Sequence, residues 1–166
     1  QRLSRGLGDV YKRQFLYWCQ QLLAESLGKK GKGLMPIISL APKDHHSVLQ
    51  LYLDGPKDKL FHIFSLVENT KKKIKIKKVT KHTNYLHNKD LFEIRNAQKE
   101  ALIKTLKKNK IPFRELKIKK CDEETLGQLF SYFILEISIV GKILGINPFD
   151  QPAVEQVKKF TKIILN

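Results

Sequence analysis

The sequence predicts an α/β domain with a mainly parallel sheet. Short apolar runs of strand length alternate along the chain with longer segments of helical period, the order that places helices on a parallel sheet. The 166 residues, 42% of them hydrophobic, are enough for one domain with a substantial core. No internal repeat interrupts this alternation, so we expect a single layered unit rather than a solenoid.

The predicted helices follow from apolar residues that recur every three or four positions. They cover residues 15–27, 45–53, 91–108, 123–144 and 151 to the terminus. Gly28, Gly31 and Gly33 end the first helix. The fourth is strongly apolar, and its expected core side comprises Leu126, Leu129, Phe130, Phe133 and Ile134.

Four short runs predict the strands between these helices. Residues 34–41 and 61–67 are continuous apolar runs that are typical of buried strands. Residues 71–79, KKKIKIKKV, alternate Ile with Lys and predict a half-buried strand, and residues 115–120 predict another. Lysines on an edge strand prevent pairing with other chains, so the charge of this segment needs no ligand.

The first fourteen residues, QRLSRGLGDVYKRQ, differ in composition from the rest of the chain. They have no clear period and none of the lysine–isoleucine bias, and RGLGDVYKRQ resembles a translated sequencing adapter. We therefore expect residues 1–14 to be a non-native prefix, which is left out of the fold prediction. The expected domain is residues 15–166, and its natural upstream sequence is expected to be missing.

The net charge of +16 raises the question of a nucleic-acid partner. The excess is lysine spread along the chain, and past residue 13 the only arginines are Arg95 and Arg114. Nucleic-acid sites favour arginine and interleaved aromatic residues. The charge therefore indicates a solvated basic surface, and no nucleic-acid partner is expected.

The remaining composition indicates a reduced, cytoplasmic protein without a metal. No apolar run reaches the roughly 18 residues of a membrane helix, and no secretory signal follows the first arginines. Cys19 and Cys121 lie far apart, and the histidines lack ligand spacing. The glycines of residues 28–33 follow a helix rather than a strand, the wrong context for cradling a phosphate.

Three ordered stretches carry the chemistry: AESLGKKGKG, PKDHHSVLQLYLDGPKDK and NPFDQPAVEQVK. Together they resemble signature segments of the glucose-6-phosphate isomerase (phosphoglucose isomerase) family, in the order of its C-terminal portion. The resemblance covers residues 15–166. It implies the C-terminal half of that enzyme, a three-layer α-β-α sugar-isomerase (SIS) type domain with a mainly parallel sheet and a C-terminal helix.

The family interconverts glucose 6-phosphate and fructose 6-phosphate through a cis-enediol, in glycolysis and gluconeogenesis, without metal or organic cofactor. By this resemblance Glu25 is the base that carries the proton, His46 opens the sugar ring and Lys158 assists the opening. Gln21 and Gln151 match glutamines that bind the substrate. His45 stands where glutamine is common, which leaves open which histidine faces the substrate, and we favour His46.

The last helix is expected to be held in place by its apolar face, which comprises Ala153, Val157, Phe160 and Ile164. Gln151 and Lys158 would then point into a cleft. Asp150 is placed to cap the first turn, and Pro148 and Pro152 constrain the preceding backbone.

The resemblance also implies what the chain lacks. The family's phosphate site and an arginine that stabilises the enediolate lie in the upstream half, and full-length members are typically homodimers that share the histidine across the interface. We therefore expect the chain alone to be inactive. Two alternatives are a non-catalytic sugar-phosphate-binding SIS module and, less favoured, a basic nucleic-acid-binding domain.

Overall fold

The computed structural model describes residues 2–67, 74–120 and 122–166, with side chains from residue 13 onward. The chain divides into two compact units. The first comprises Gln1–Ile38 with Cys121–Asn166, and the second comprises Ser39–Lys120.

The elements follow one another in the order helix, helix, helix, strand, helix, strand, helix, helix. They are α1 (Arg2–Leu27), α2 (Lys43–Ser47), α3 (Leu49–Asp54), β1 (Phe61–Leu66), α4 (Leu91–Lys108), β2 (Phe113–Ile118), α5 (Glu123–Leu144) and α6 (Pro152–Leu165), with a short 3-10 helix at Lys81–Leu86 before α4.

The second unit contains a small parallel sheet, which confirms the α/β class. β1 pairs with β2 in parallel, from Phe61 opposite Phe113 to Leu66 opposite Ile118. The connection between the strands includes α4, whose buried residues Ile103 and Leu106 supply core. The predicted strands at 61–67 and 115–120 correspond to β1 and β2, and the predicted helix at 91–108 has the bounds of α4.

The first unit is built on the packing of α1 against α5. Leu27 of α1, Ile137 of α5 and Ile146 form a buried cluster. Near the start of α5, Phe15 lies edge-on to Phe130 with ring centroids 5.5 Å apart, and Phe133 is almost fully buried. These aromatic contacts replace water around large apolar side chains and give the unit its core. The prediction that Ile134 lies on the core side of α5 is wrong, because this residue is 47% exposed.

Three sequence predictions for regular elements are wrong in whole or in part. Residues 34–41 form no strand, and Leu34, Met35 and Ile37 are exposed. The helix expected at 45–53 is two short helices, α2 and α3, separated at Val48. Of the strand expected at 71–79, residues 71–73 lie outside the described residues, and the remainder makes one isolated bridge, between Lys75 and Asp90.

The backbone of residues 2–14 is helical and continuous with α1, although the sequence of this prefix has no clear period. Helical backbone does not distinguish a native segment from an added one. The boundary between residues 14 and 15 therefore stays a prediction.

The expectation that no segment is long and apolar enough to span a membrane is also wrong. By length and composition α5 passes that test. One such helix is weak evidence for a membrane span, because the core helix of a soluble protein passes too. In this chain α5 supplies the buried residues Phe133, Ile137 and Gly141 to the first unit.

The last helix does not pack as expected. None of the residues of α6 is buried, and the side chains expected to hold it in place are exposed, with Phe160 63% and Ile164 81% exposed. A shallow groove of about 490 Å³ on this helix is lined by residues of the α6 region alone, from Val157 to Asn166. The apolar face of α6 is thus present but stays largely exposed.

Candidate active site

Glu25 lies in the last turn of α1 and is half-buried. One turn earlier on the same helix face, Gln21 donates from Nε2 to Glu25 Oε1 over 2.9 Å. This contact follows from the four-residue spacing, which brings two side chains together on a helix surface. The helix ends two residues after Glu25, where Gly28 leaves no side chain to collide with the Ala24 carbonyl oxygen, 2.6 Å from the position of a Cβ.

The second partner of Glu25 comes from the far end of the chain. Gln151 donates from Nε2 to Glu25 Oε2 over 2.7 Å, across 126 residues of sequence. The carboxylate therefore lies between two carboxamides, with one hydrogen bond on each oxygen. An ionised carboxylate has about four acceptor positions, so this arrangement orients the group and leaves lone pairs that can accept a proton.

The turn before Gln151 is held against the end of α5. Gly145 ends that helix in the left-handed conformation with φ of 66°, which favours glycine. The next residue, Ile146, is buried in the cluster with Leu27 and Ile137. Pro148 lies so close to Gly141 that a Cβ there would approach three atoms of the proline ring at 3.0–3.1 Å. Both glycines thus permit the chain to turn back toward α1.

Two lysines of the loop after α1 also bind this turn. Lys29 donates from Nζ to the Asn147 carbonyl oxygen over 2.6 Å and forms an ion pair with Asp150 Oδ1 over 3.1 Å. Lys32 donates to the Leu144 carbonyl oxygen at the end of α5. The sequence expectation that Asp150 caps α6 is wrong, because the residue before the helix is Gln151, no side chain caps it, and Asp150 binds Lys29 instead.

Sequence reasoning assigned no role to Lys29. It treated residues 29–32 as a basic loop, since a lysine between glycines carries no sign of a partner more than 100 residues away. The available signal was the opposite charge of this basic loop and of Asp150, an acidic residue in the stretch NPFDQPAVEQVK.

Lys158 lies on α6, and the structure does not bring it to the Glu25 carboxylate. Its Nζ lies 2.6 Å from Glu155 Oε1 in a pair spaced by three residues. Both side chains are more than half exposed, so this is a surface ion pair of small energetic value.

His46 lies in the second unit, on the short helix α2, with its side chain exposed. His45 is half-buried, and its Nε2 atom is buried without a hydrogen-bond partner among the described residues. The preceding residue, Asp44, accepts a hydrogen bond from the Leu40 backbone N–H, which holds the pKa of that carboxyl below its usual value. Asp44 thus anchors the segment that presents His46 to solvent.

A metal centre has no support from side-chain geometry in the described residues. No three His, Cys, Asp or Glu side chains there are grouped closely enough to hold an ion. Cys19 is buried, and Cys121 lies outside the described part of the chain.

No protein-family model matches the chain. Individual relatives do. A protein from Methanococcus maripaludis named probable glucose-6-phosphate isomerase is 40% identical over 147 residues, which cover 89% of this chain and 33% of the relative. Glucose-6-phosphate isomerases from Mycoplasmopsis synoviae and Campylobacter jejuni are 38% and 39% identical, over 89% and 95% of this chain and 35% and 40% of their own lengths.

The fold is also found among solved structures. A hypothetical protein from Thermus thermophilus superimposes with a TM-score of 0.79 at 30% identity, over 90% of this chain and 37% of the other. The chain spans between a third and two fifths of the length of the relatives named above. By its sequence the chain belongs to the glucose-6-phosphate isomerase family.

Proposed function

We propose that this chain is part of an aldose–ketose isomerase that interconverts glucose 6-phosphate and fructose 6-phosphate through a cis-enediol. The observation that carries the proposal is the Glu25 carboxylate held by Gln21 and Gln151, at the meeting point of the first and third signature stretches. Family membership supports the substrate class, since the relatives are named for this reaction.

The reaction needs a base that removes a proton from one sugar carbon and returns it to the neighbouring one. A carboxylate suits this task when its position is fixed within hydrogen-bond reach of both carbons. Glu25 is half-buried and oriented by two amides, and its free lone pairs can take the proton. Gln21 and Gln151 each use one N–H on Glu25, so the second N–H and the carbonyl oxygen of each amide remain for sugar hydroxyls.

Ring opening requires a second proton donor and acceptor. An imidazole suits this step near neutral pH, and the exposed His46 is the better candidate of the two adjacent histidines. Lys158 would stabilise the sugar oxygens with its positive charge. Its pairing with Glu155 is exposed and weak, so this lysine is available to a substrate.

The remainder of the site would come from outside this chain. The proposal includes a phosphate-binding region and an arginine in the part of the enzyme that the chain does not span, a homodimer that shares the histidine, and a cytoplasmic location. It also includes assignment of the fold to the three-layer SIS type, for which the small parallel sheet and the α4 crossover are the support.

The test is a chimera in which residues 15–166 replace the matching segment of the Methanococcus maripaludis relative. Purified chimera is assayed for conversion of fructose 6-phosphate to glucose 6-phosphate. Conversion at a rate within about a hundredfold of the parent supports the proposal. A folded chimera that converts nothing contradicts it.

Two binding measurements separate the two alternatives. A chimera that binds sugar phosphates without converting them would indicate a sensor module. For the 166-residue chain, affinity for DNA or RNA that falls steeply with added salt would indicate a nucleic-acid-binding domain.

A further inference from the structure

The side chain of Lys29 is nearly removed from solvent, with 8% of its area exposed. A buried ammonium is unfavourable unless its hydrogen bonds and charge are matched. Lys29 meets this requirement through the Asn147 carbonyl oxygen at 2.6 Å and the Asp150 carboxylate at 3.1 Å. Both partners belong to the turn that leads into Gln151, so the lysine binds the turn at its first residue and at its last.

The rest of the turn has separate anchors. Lys32 binds the carbonyl of Leu144, and Ile146 is buried in the core of the first unit. These contacts fix the chain just before residues 147–150, and within that turn Pro148 lies against Gly141. They leave the last residues before α6 held by Lys29, because Asp150 is adjacent to Gln151 and α6 itself buries no residue.

We propose that Lys29 is a positioning residue, which clamps residues 147–150 so that the Gln151 amide stays on the Glu25 carboxylate. The catalytic meaning of this clamp rests on the proposed function, but the clamp itself does not. Lys29 would act only through Gln151, since Gln21 binds Glu25 from the same helix and needs no help from the turn.

The test uses the side-chain amide resonances of the ¹⁵N-labelled 166-residue chain. In the unmodified chain the Gln21 and Gln151 amides both bind Glu25, so each shows proton shifts displaced from those of a free glutamine. Gln21→Ala and Gln151→Ala assign the two signals by their disappearance. No substrate and no enzymatic activity are needed, so the result is independent of whether the proposed function holds.

The expected result for Lys29→Met is loss of the displacement at Gln151, with the Gln21 signal unchanged. Lys29→Arg should restore the displacement, because arginine retains the charge and the donors. Lys30→Met is the matched control. It removes one positive charge from the same loop at an exposed residue, and both signals should stay in place.

Asp150→Asn provides a second variant should Lys29→Met fail to fold. Asp150 is half exposed and asparagine has nearly its size, so this replacement removes the charge partner of Lys29 without creating a cavity. It should reduce the Gln151 displacement and spare Gln21. The proposal is overturned if Gln151 is unchanged in the variants that fold, if Lys30→Met has the same effect, or if Gln21 and Gln151 move together.

Discussion

At the scale of single residues, the candidate site combines a local contact and a distant one. The Gln21–Glu25 contact follows from helical spacing, which the sequence alone displays. The Gln151 contact spans 126 residues and was foreseeable only through the resemblance of the motifs. The role of Lys29 was missed because no periodicity or spacing in the sequence indicates an ion pair between two distant loops.

A second network, in the other unit, gives a prediction about pH. Glu115 of β2 accepts hydrogen bonds from Ser65 Oγ at 2.7 Å and from Lys99 Nζ at 3.0 Å. Burial raises the pKa of Glu115, but these bonds and the charges of Lys99 and Lys117 outweigh it, so the pKa lies below the usual 4.5. A carboxyl whose pKa is lower in the folded chain than in the unfolded chain stabilises the folded state at pH values above the unfolded-state pKa. That stabilisation is lost as the pH falls through the folded-state pKa.

We therefore expect Glu115→Gln to lower the free energy of unfolding at pH 7. The difference from the unmodified chain should shrink as pH falls below 4.5. Urea unfolding at several pH values between 7 and 3 measures it. The pKa of Lys99 is raised by its hydrogen bond to Glu115, so the lysine contribution is lost only as pH rises beyond 10.5. A difference that stays constant down to pH 3 would contradict this account.

At the scale of elements, long periodic segments were predictable and short apolar runs were not. The predicted helices at 91–108 and 123–144 have the observed bounds of α4 and α5. Eighteen or more residues of sustained period leave little ambiguity. The run at 34–41 is short and contains Pro36, and apolar content alone did not make it a strand.

The contrast between the two helices of the first unit gives a stability prediction. Phe133 of α5 is 1% exposed, whereas Phe160 of α6 is 63% exposed. Phe133→Ala leaves a cavity and should lower the free energy of unfolding by about 3–5 kcal/mol. Phe160→Ala removes little buried area and should change it by less than about 0.5 kcal/mol. Denaturant unfolding of both variants measures these changes. An equal loss of unfolding free energy in the two variants would contradict the prediction, because it would show that Phe160 is packed as well as Phe133.

At the scale of the whole chain, large apolar groups remain exposed on helices of the first unit. On α5, Tyr132, Leu135 and Ile139 line a shallow groove of about 290 Å³, and Phe160 and Ile164 are exposed on α6. Exposed apolar patches of this kind mark surfaces that bind other groups or associate. Sequence periodicity predicted that α6 has an apolar face, but it could not show whether that face is covered, because covering depends on distant residues.

We expect the folded chain to bind a neutral apolar dye such as Nile red. Phe160→Ser combined with Ile164→Ser should lower the dye fluorescence at unchanged circular dichroism, because it removes exposed apolar area without touching the core. Lys159→Ser with Lys162→Ser is the matched pair on the same helix and should leave the fluorescence unchanged. Equal dye fluorescence from the Phe160→Ser, Ile164→Ser variant and the unmodified chain would contradict the prediction that the apolar face of α6 is exposed.

The central claim is that Glu25 is the base of an isomerase, and one rate ratio tests it most directly. In the chimera, Glu25→Gln is compared with Glu124→Gln, a matched control because Gln128 donates to Glu124 across the same four-residue spacing, over 3.3 Å. We predict that Glu25→Gln lowers kcat by about 10²–10⁴-fold, the usual contribution of a positioned acid–base group, while Glu124→Gln leaves kcat unchanged. An active chimera that keeps its kcat after Glu25→Gln would contradict the account.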